Sequence, residues 1–492
     1  MTHRQRPLIH FTPPRNWIND PNGLVYVNGT YHLFYQHNPH SLDWGHMTWG
    51  HASSKDLLTW VHHEHAIPED EEFASFSGSA IIDYENVSGF GDGTAAPMIA
   101  FYTAAKHADI SHQQQHIAYS SDNGVTWRKF TGNPVIPCTD RDVRDPKVFW
   151  SESANAWIML LVHAPENRVL FYRSNNLLDW TLASVFGPQG YLGDEWECPD
   201  LVELAEPVSG ETKWCLFISV GEDAPSLTNS VKYILGDFDG ERFIADGGGE
   251  DWVDLGPDFY AAQSWSNLPD AGAKAIWTGW MSNRSYCGDV PAFEWRGCLS
   301  QPRELSLYRQ SDGALRLAQR PVRTLVDHAR PVQQLRDLSL SGKFDLTDAM
   351  QDGTYLDLSL QFDPTIEGAV IFWLEQAGQS LCELTIDPSE GALRLVRDAA
   401  GRVPNAAFRE PIESTARVSG DLFNLRLFFD HSALELFSES GCSVLSAIVS
   451  PSRTAPISAG LKTKDDTKVL FKEIIIRELV SATQPEPICA NG

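Results

Sequence analysis

At 492 residues the chain exceeds the size over which a single hydrophobic core keeps growing, so two domains are expected. A formal net charge of −27 excludes nucleic acid and anionic membrane surfaces as partners, because both are recognised through basic patches that release counterions. Sixteen Trp, 13 Tyr and 24 Phe suit a neutral ligand with apolar faces, such as a sugar, although aromatic side chains are equally ordinary core residues.

Eight cysteines are scattered without Cys-x-x-Cys pairs, which indicates free thiols rather than a zinc site or a disulfide framework. The opening residues are charged but are followed by no apolar h-region, and no run of 18 apolar residues occurs. The expected location is the cytoplasm, or the extracellular space if a leader has been removed, and no membrane partner is expected.

The first distinctive stretch is Asn16-Trp17-Ile18-Asn19-Asp20-Pro21-Asn22-Gly23. A residue before proline is disfavoured in the α region, so Asp20 is expected to be extended with its carboxylate in a set direction. Asp-Pro-Asn-Gly is also a strong turn signal, which is the plainer reading of this stretch by itself. The same device returns at Arg144-Asp145-Pro146, and Glu197-Cys198-Pro199 offers an acid one residue further from its proline. Three acids beside prolines, each opening a strand-like run, point to one shared site.

A polar turn closed by tryptophan occurs at 53–60, 120–127 and 173–180, with looser copies at 236–243 and 310–315. Strand-like runs precede these turns at 31–36, 98–103, 156–162, 214–220 and 275–281, and helical periodicity is scarce between them. Units of about 50 to 70 residues made of several short strands are what a propeller blade requires. Five units predict a five-bladed β-propeller over 1–325, with innermost strands at 20–27, 76–82, 145–150, 197–204 and 258–265. Asp20, Asp145 and Glu197 would then enter the axial funnel from blades 1, 3 and 4.

Residues 326–339, bracketed by Pro321 and Pro331, read as a linker. From 340 to 482 short strands alternate with turns, at 356–362, 370–374, 381–386, 393–396, 425–429, 434–437 and 469–476, which predicts a β-sandwich. Residues 483–492 read as a tail. The fold class is thus all-β. The sandwich is expected to support the propeller, with an auxiliary sugar contact as the alternative, since the acid-proline pattern does not return in it.

Two carboxyls facing one another across a glycosidic bond are the minimum for glycoside hydrolysis. With Asp20 and Asp145 ionised, their fields favour a protonated Glu197, the form needed at a leaving oxygen. Arg144 is expected to keep its neighbour Asp145 ionised and to offer forked donors to sugar hydroxyls, a structural ion pair being its plainer role. His62, His63 and His65 surround Glu64 but lack a spaced partner, so a solvated loop is expected there, and no metal or organic cofactor is assigned. The glycine-rich run 246–250 is flanked by acids and opens no helix, which excludes a phosphate loop.

These motifs are joined by Trp44-Gly45-His46-Met47-Thr48-Trp49-Gly50-His51, Phe76-Ser77-Gly78-Ser79, Asp258-Phe259-Tyr260-Ala261-Ala262-Gln263 and Pro302-Arg303-Glu304-Leu305. In content and order they resemble those of glycoside hydrolase family 32, the invertases, inulinases and levanases, across the first 310 residues. The resemblance implies a five-bladed propeller joined to a β-sandwich, with retaining cleavage of β-fructofuranosides. It implies Asp20 as nucleophile, Glu197 as acid/base and Asp145 as the transition-state stabiliser that holds fructose hydroxyls. Asn19, Gln36, Trp44, Phe76, Ser77 and Arg144 match positions around the terminal fructose, and Trp280 and Trp295 are both candidates for a wall of that pocket. The expected reaction is release of terminal fructose from sucrose or fructans. Within enzymes the alternative is fructosyl transfer to a sugar hydroxyl. Outside them it is a non-catalytic sugar-binding propeller, against which the intact set of three acids argues. No residue pattern marks an oligomeric state.

Overall fold

The computed structural model describes residues 6–221, 230–247, 249–269, 275–292, 294–398, 402–452 and 455–480. The expected tail at 483–492, with Cys489, and the last two residues of the expected sandwich lie outside them. The seven described cysteines are free. Among the described residues no helix is long and apolar enough to cross a membrane.

Five antiparallel sheets follow one another from Asn16 to Pro321, with the strands of each in chain order from the inside outwards. Their first strands are Asn16–Val27, Phe73–Ile82, Val143–Ser151, Trp196–Ala205 and Tyr260–Ser264. Each packs against the first strand of the next sheet, and the fifth against the first, which closes a five-bladed propeller around one axis. The fifth inner strand begins two residues later than expected. Asp258 lies just outside it, fully buried and hydrogen-bonded to Tyr286 Oη (2.6 Å) and Arg397 Nη1 (2.6 Å).

Both faces of a blade are covered by its neighbours, so successive side chains in the middle of its strands, which point to opposite faces, are apolar. In Met98–Lys106, Met98, Ala100 and Tyr102 pack with Val25 and Trp49 of blade 1, whereas Ile99 and Phe101 pack with Val148 and Met159 of blade 3. In Thr212–Val220, Leu216 and Ile218 face Ile158 and Leu160 of blade 3, while Cys215 and Phe217 face Trp277 of blade 5. The repeated polar turns join the third and fourth strands. Ser54 Oγ accepts from Leu57 N and Ser174 Oγ from Leu177 N, both at 2.8 Å, and each of the two leucines takes a positive φ. Ser120 Oγ accepts instead from Gly124 N at 2.9 Å, and there both Asn123 and Gly124 take a positive φ.

The ring is closed by a short strand borrowed from late in the chain. Trp295–Arg296, between the second and third strands of blade 5, pairs in parallel with Asn16 and Trp17 of blade 1.

The sandwich consists of two six-stranded sheets. Leu358, Leu360, Leu427, Phe429 and Ile474 of one interleave with Phe372, Leu374, Leu384, Ile386 and Leu461 of the other. The expected linker at 326–339 is folded. A short helix, Arg323–His328, leads directly into the strand Ala329–Leu340, which pairs with Val469–Leu479. That strand lies at a sheet edge and is largely exposed, so it shows no apolar alternation, and Pro331 is tolerated beside an irregularity in the ladder.

Buried charges join the two domains. Arg303 Nη1 donates to Asp254 (3.1 Å) and Gln319 (3.0 Å), and its Nη2 to Glu435 (2.6 Å) of the sandwich. His10 bridges Asp430 and Glu435, each at 2.9 Å.

Candidate active site

All five inner strands carry the same irregularity, three steps along the inner strand being matched by two along its partner. Ile18 to Pro21 runs opposite His37 to Tyr35. Ser75 to Gly78 runs opposite Ala104 to Tyr102, and Arg144 to Lys147 opposite Val162 to Leu160. Glu197 to Asp200 runs opposite Ser219 to Phe217, and Tyr260 to Gln263 opposite Trp280 to Thr278. Such bulges bend a strand and redirect its side chains. Pro146 and Pro199 fall inside two of them, where the extra residue has no ladder partner and a missing N–H costs nothing.

The bulge corrects the local argument made from proline. Asp145 is not extended: its φ is +63°, and the matching residues Cys198 and Ala261 have φ of +47° and +51°. The direction of the Asp145 carboxylate is therefore set by the bulge and by hydrogen bonds. Asp145 N donates to Thr103 Oγ1 (2.9 Å), which in turn donates to Gln115 Oε1 (2.9 Å).

The bulges open onto a cavity of about 440 Å³ lined from all five blades. Asp20, Asp145 and Glu197 are brought together there, and Asn19, Gln36, Trp44, Phe76, Ser77, Arg144 and Trp280 line the same space. Trp295 does not. Its strand closes the propeller, and it faces a separate small cavity between blade 5 and the sandwich, with the Arg6 guanidinium 4.1 Å from its ring.

Asp20 Oδ2 accepts from Ser77 Oγ (2.6 Å) and Oδ1 from Asn19 Nδ2 (3.0 Å); the Asn19 amide is oriented by Trp17 Nε1, which donates to its Oδ1 at 2.7 Å. Cys198 Sγ lies 3.8 Å from Asp20 Oδ2 and 3.6 Å from Asp145 Oδ2, and Cys198 N donates to Asp145 at 2.8 Å. Glu197 holds the positive charge. Arg144 Nη2 (3.1 Å) and Nε (3.3 Å) reach Oε1, while Tyr260 Oη (2.7 Å) and Arg284 Nη1 (3.2 Å) reach Oε2. Glu195 also binds both arginines.

Burial pushes the Asp20 carboxyl up to about 6, with the Glu197 charge adding to the rise and the Ser77 and Asn19 hydrogen bonds opposing it. Burial likewise raises Asp145, to about 7, against the pull of Arg144. Glu197 moves the other way. Burial would raise it, but Arg144, Arg284 and the Tyr260 hydroxyl outweigh that and hold it below the usual carboxylate range. The expectation that ionised Asp20 and Asp145 keep Glu197 protonated is thus reversed in the free site, because Arg144 spends its closest contacts on Glu197 and Glu195 and lies 3.9 Å from Asp145.

Sequence reasoning did not single out Trp17, Ile110, Gln113, Glu195, Tyr260, Arg284 or Cys287, all of which line the cavity. Glu195 stands two residues before Glu197, just ahead of the strand Trp196–Ala205, and Tyr260 lies within a quoted motif. Arg284 sits in the long excursion that follows the second strand of blade 5 and carries no local signal. The histidine run at 62–65 does not assemble a metal-ligand group; the only such group among the described residues is His40, His46 and Glu69.

The axial cavity of a propeller carried on a β-sandwich thus holds the paired carboxyls that glycoside hydrolysis requires. Residues 10–321 match the model of the glycosyl hydrolases family 32 N-terminal domain, and residues 322–477 that of its C-terminal domain. The chain belongs to glycoside hydrolase family 32. It is 42% identical to a levanase of Bacillus subtilis over 487 residues, which span 95% of this chain and 71% of that one. With the extracellular exo-inulinase of Aspergillus ficuum it shares 32% identity over 508 residues, 94% of this chain and 93% of the other. The crystal structure of the exo-inulinase from Aspergillus awamori superposes with a TM-score of 0.87 at 30% identity, covering 98% of this chain and all of that one. A β-fructofuranosidase from Schwanniomyces occidentalis, solved in complex with fructosyl-erythritol, gives 0.86 at the same identity, with 97% and 98% covered.

Proposed function

We propose that the protein releases terminal β-D-fructofuranosyl units from sucrose or fructans by double displacement. The observation that carries this reading is the convergence of Asp20, Asp145 and Glu197 in one cavity, with both guanidiniums placed on Glu197 and none on Asp20. Asp20 touches only neutral donors, so its ionised carboxylate is free to attack the anomeric carbon. Glu197 delivers a proton to the glycosidic oxygen as the bond to the leaving sugar breaks. In the second half, Glu197 takes a proton from water, whose oxygen attacks the same carbon and frees Asp20.

The proton for the first step has a source within the site. In the free cavity Asp145 is the carboxyl that holds it most tightly. Fructose hydroxyls donating to Asp145 favour its ionised form, and that negative charge, repelling the Glu197 carboxylate, moves Glu197 towards the protonated form needed at the leaving oxygen. Trp44, Phe76 and Trp280 supply the walls against which a furanose ring packs.

Incubation with sucrose, with glucose and fructose measured separately, tests the reading. Equal release is expected, with β-fructofuranose as the first anomer seen by early-time NMR. An α-anomer would overturn double displacement, an excess of glucose would indicate transfer to a sugar hydroxyl, and no release would leave a binding protein.

A further inference from the structure

We propose that His40, His46 and Glu69 bind a divalent transition metal of the zinc type, and that the bound ion clamps the loop that presents Trp44 to the cavity. His40 and His46 stand at the two ends of the connection between Thr30–Asn38 and Thr48–Ser54 of blade 1, with Trp44 between them. Glu69 comes from the passage between blades 1 and 2. One donor atom from each of the three lies within 4.8 Å of the others. His46 Nδ1 is 2.8 Å from Glu69 Oε1, and the rings of His40 and His46 stand perpendicular with centroids 5.4 Å apart.

Two imidazoles and a carboxylate form a common three-ligand set for zinc, with the fourth position left to water. Donors on a tetrahedral ion with bonds of about 2.0–2.1 Å are about 3.3 Å apart, so His46 and Glu69 need to part by only about half an ångström. The ion takes the place of the hydrogen between His46 Nδ1 and Glu69, with the imidazole bound as the tautomer that carries its hydrogen on Nε2.

The carboxylate is the anchored member. Glu69 N donates to Thr48 Oγ1 (3.2 Å), and its buried Oε2 has no hydrogen-bond donor; His107, 3.7 Å away, donates its Nε2–H to Asp70 O instead. Both histidines are exposed, so an ion can reach them.

The consequence falls on Trp44, which is 51% exposed and meets Phe76 edge-on at 5.9 Å. Asn38 already orders the first half of its loop by accepting from His40 N (2.9 Å) and donating to Asp43 O (2.7 Å). An ion tying His40 to His46 fixes the second half as well. None of the three ligands lines the cavity, so the ion positions a wall and takes no part in bond cleavage.

The test needs no substrate. The full chain, washed free of metal with EDTA, is titrated with Zn²⁺ in a calorimeter beside His46→Gln, Glu69→Gln and a control, His62→Gln. One equivalent per chain should bind, at least about tenfold more weakly in the first two variants and unchanged in the control. The acrylamide-quenchable emission that Trp44→Phe removes should become less quenchable when wild type is saturated with Zn²⁺. Absence of binding, or binding indifferent to His46 and Glu69, overturns the site. Saturation that leaves Trp44 equally quenchable overturns the clamp.

Discussion

Glu197 faces two guanidiniums and a phenol, whereas Asp20 faces a hydroxyl, an amide and a thiol, so the two carboxylates should respond differently to loss of charge. Glu197→Gln removes the proposed proton donor, and sucrose hydrolysis should fall by about 10²- to 10⁴-fold. An activated aryl fructoside, whose leaving group needs little protonation, should lose far less in its first step, with azide restoring turnover. Asp20→Asn should silence both substrates and show no burst; the opposite pattern would exchange the two roles. A second prediction concerns pH. Asp20 must be ionised to attack and its carboxyl sits at about 6, so kcat/KM should decline as pH falls through about 6. Ser77→Ala deletes a hydrogen bond that holds this value down, so the acid limb should move to higher pH, and a stationary limb would assign it to another group. That the three acids meet was legible because each stands next to, or one residue from, a proline within an inner strand. The partner of Arg144 was not. Adjacency suggested Asp145, but neighbouring strand residues point to opposite faces, and only the fold shows the guanidinium meeting Glu197 from the next blade.

At the scale of elements, the inner-strand bulge is the device that turns a β-ladder into a wall of functional groups. Blade 2 shows how tightly it is built. A Cβ on Gly78, the residue that closes this bulge, would lie 2.0 Å from Phe101 O of the adjacent strand. Gly78→Ala should therefore push the two strands apart, cost about 1–3 kcal/mol of unfolding free energy in a denaturation curve, and displace Ser77 from Asp20 with a matching loss of activity. Normal stability and activity in this variant would show that the bulge has slack. The blades were legible because strands covered on both faces read as unbroken apolar runs, and because a serine-led polar turn recurs in the first three units. The bulges were not, since register depends on partner strands far away in sequence. The edge strand Ala329–Leu340 was missed for the opposite reason: one exposed side and a proline leave no apolar alternation to read.

For the whole molecule, the sandwich acts as a brace whose buried carboxylates hold cations of the propeller. His10 is the one that titrates. Burial opposes its charge, but the hydrogen bonds it donates to Asp430 and Glu435, with their negative charges, outweigh this and push its pKa up to about 9 from 6.5. A raised value means that the folded state holds the proton more tightly. The resulting stabilisation, on the order of 3 kcal/mol, is complete below about pH 6.5 and is lost as pH climbs through about 9. Melting temperature should fall between pH 7 and 10, and His10→Gln should be less stable at pH 7 with a flatter profile over that range. A wild-type profile as flat as that of the variant would remove His10 from the account. Arg303→Met should be more severe, about 3–5 kcal/mol in a denaturation curve, because it strands Asp254 and Glu435 in a dry interface.

The borrowed strand at Trp295 also governs when the site comes into being. Asn16 and Trp17, which lead into Asp20, wait for a partner about 280 positions downstream, and Leu8 N waits for Asp430, 422 positions away. Contacts of such long sequence separation make for slow folding, because chain entropy is lost before the contacts that offset it can form. A polypeptide growing on the ribosome therefore makes its proposed nucleophile first and seats it among the last, so fragments ending before Trp295 should expose an unpaired blade edge, a template for aggregation, rather than a working cavity.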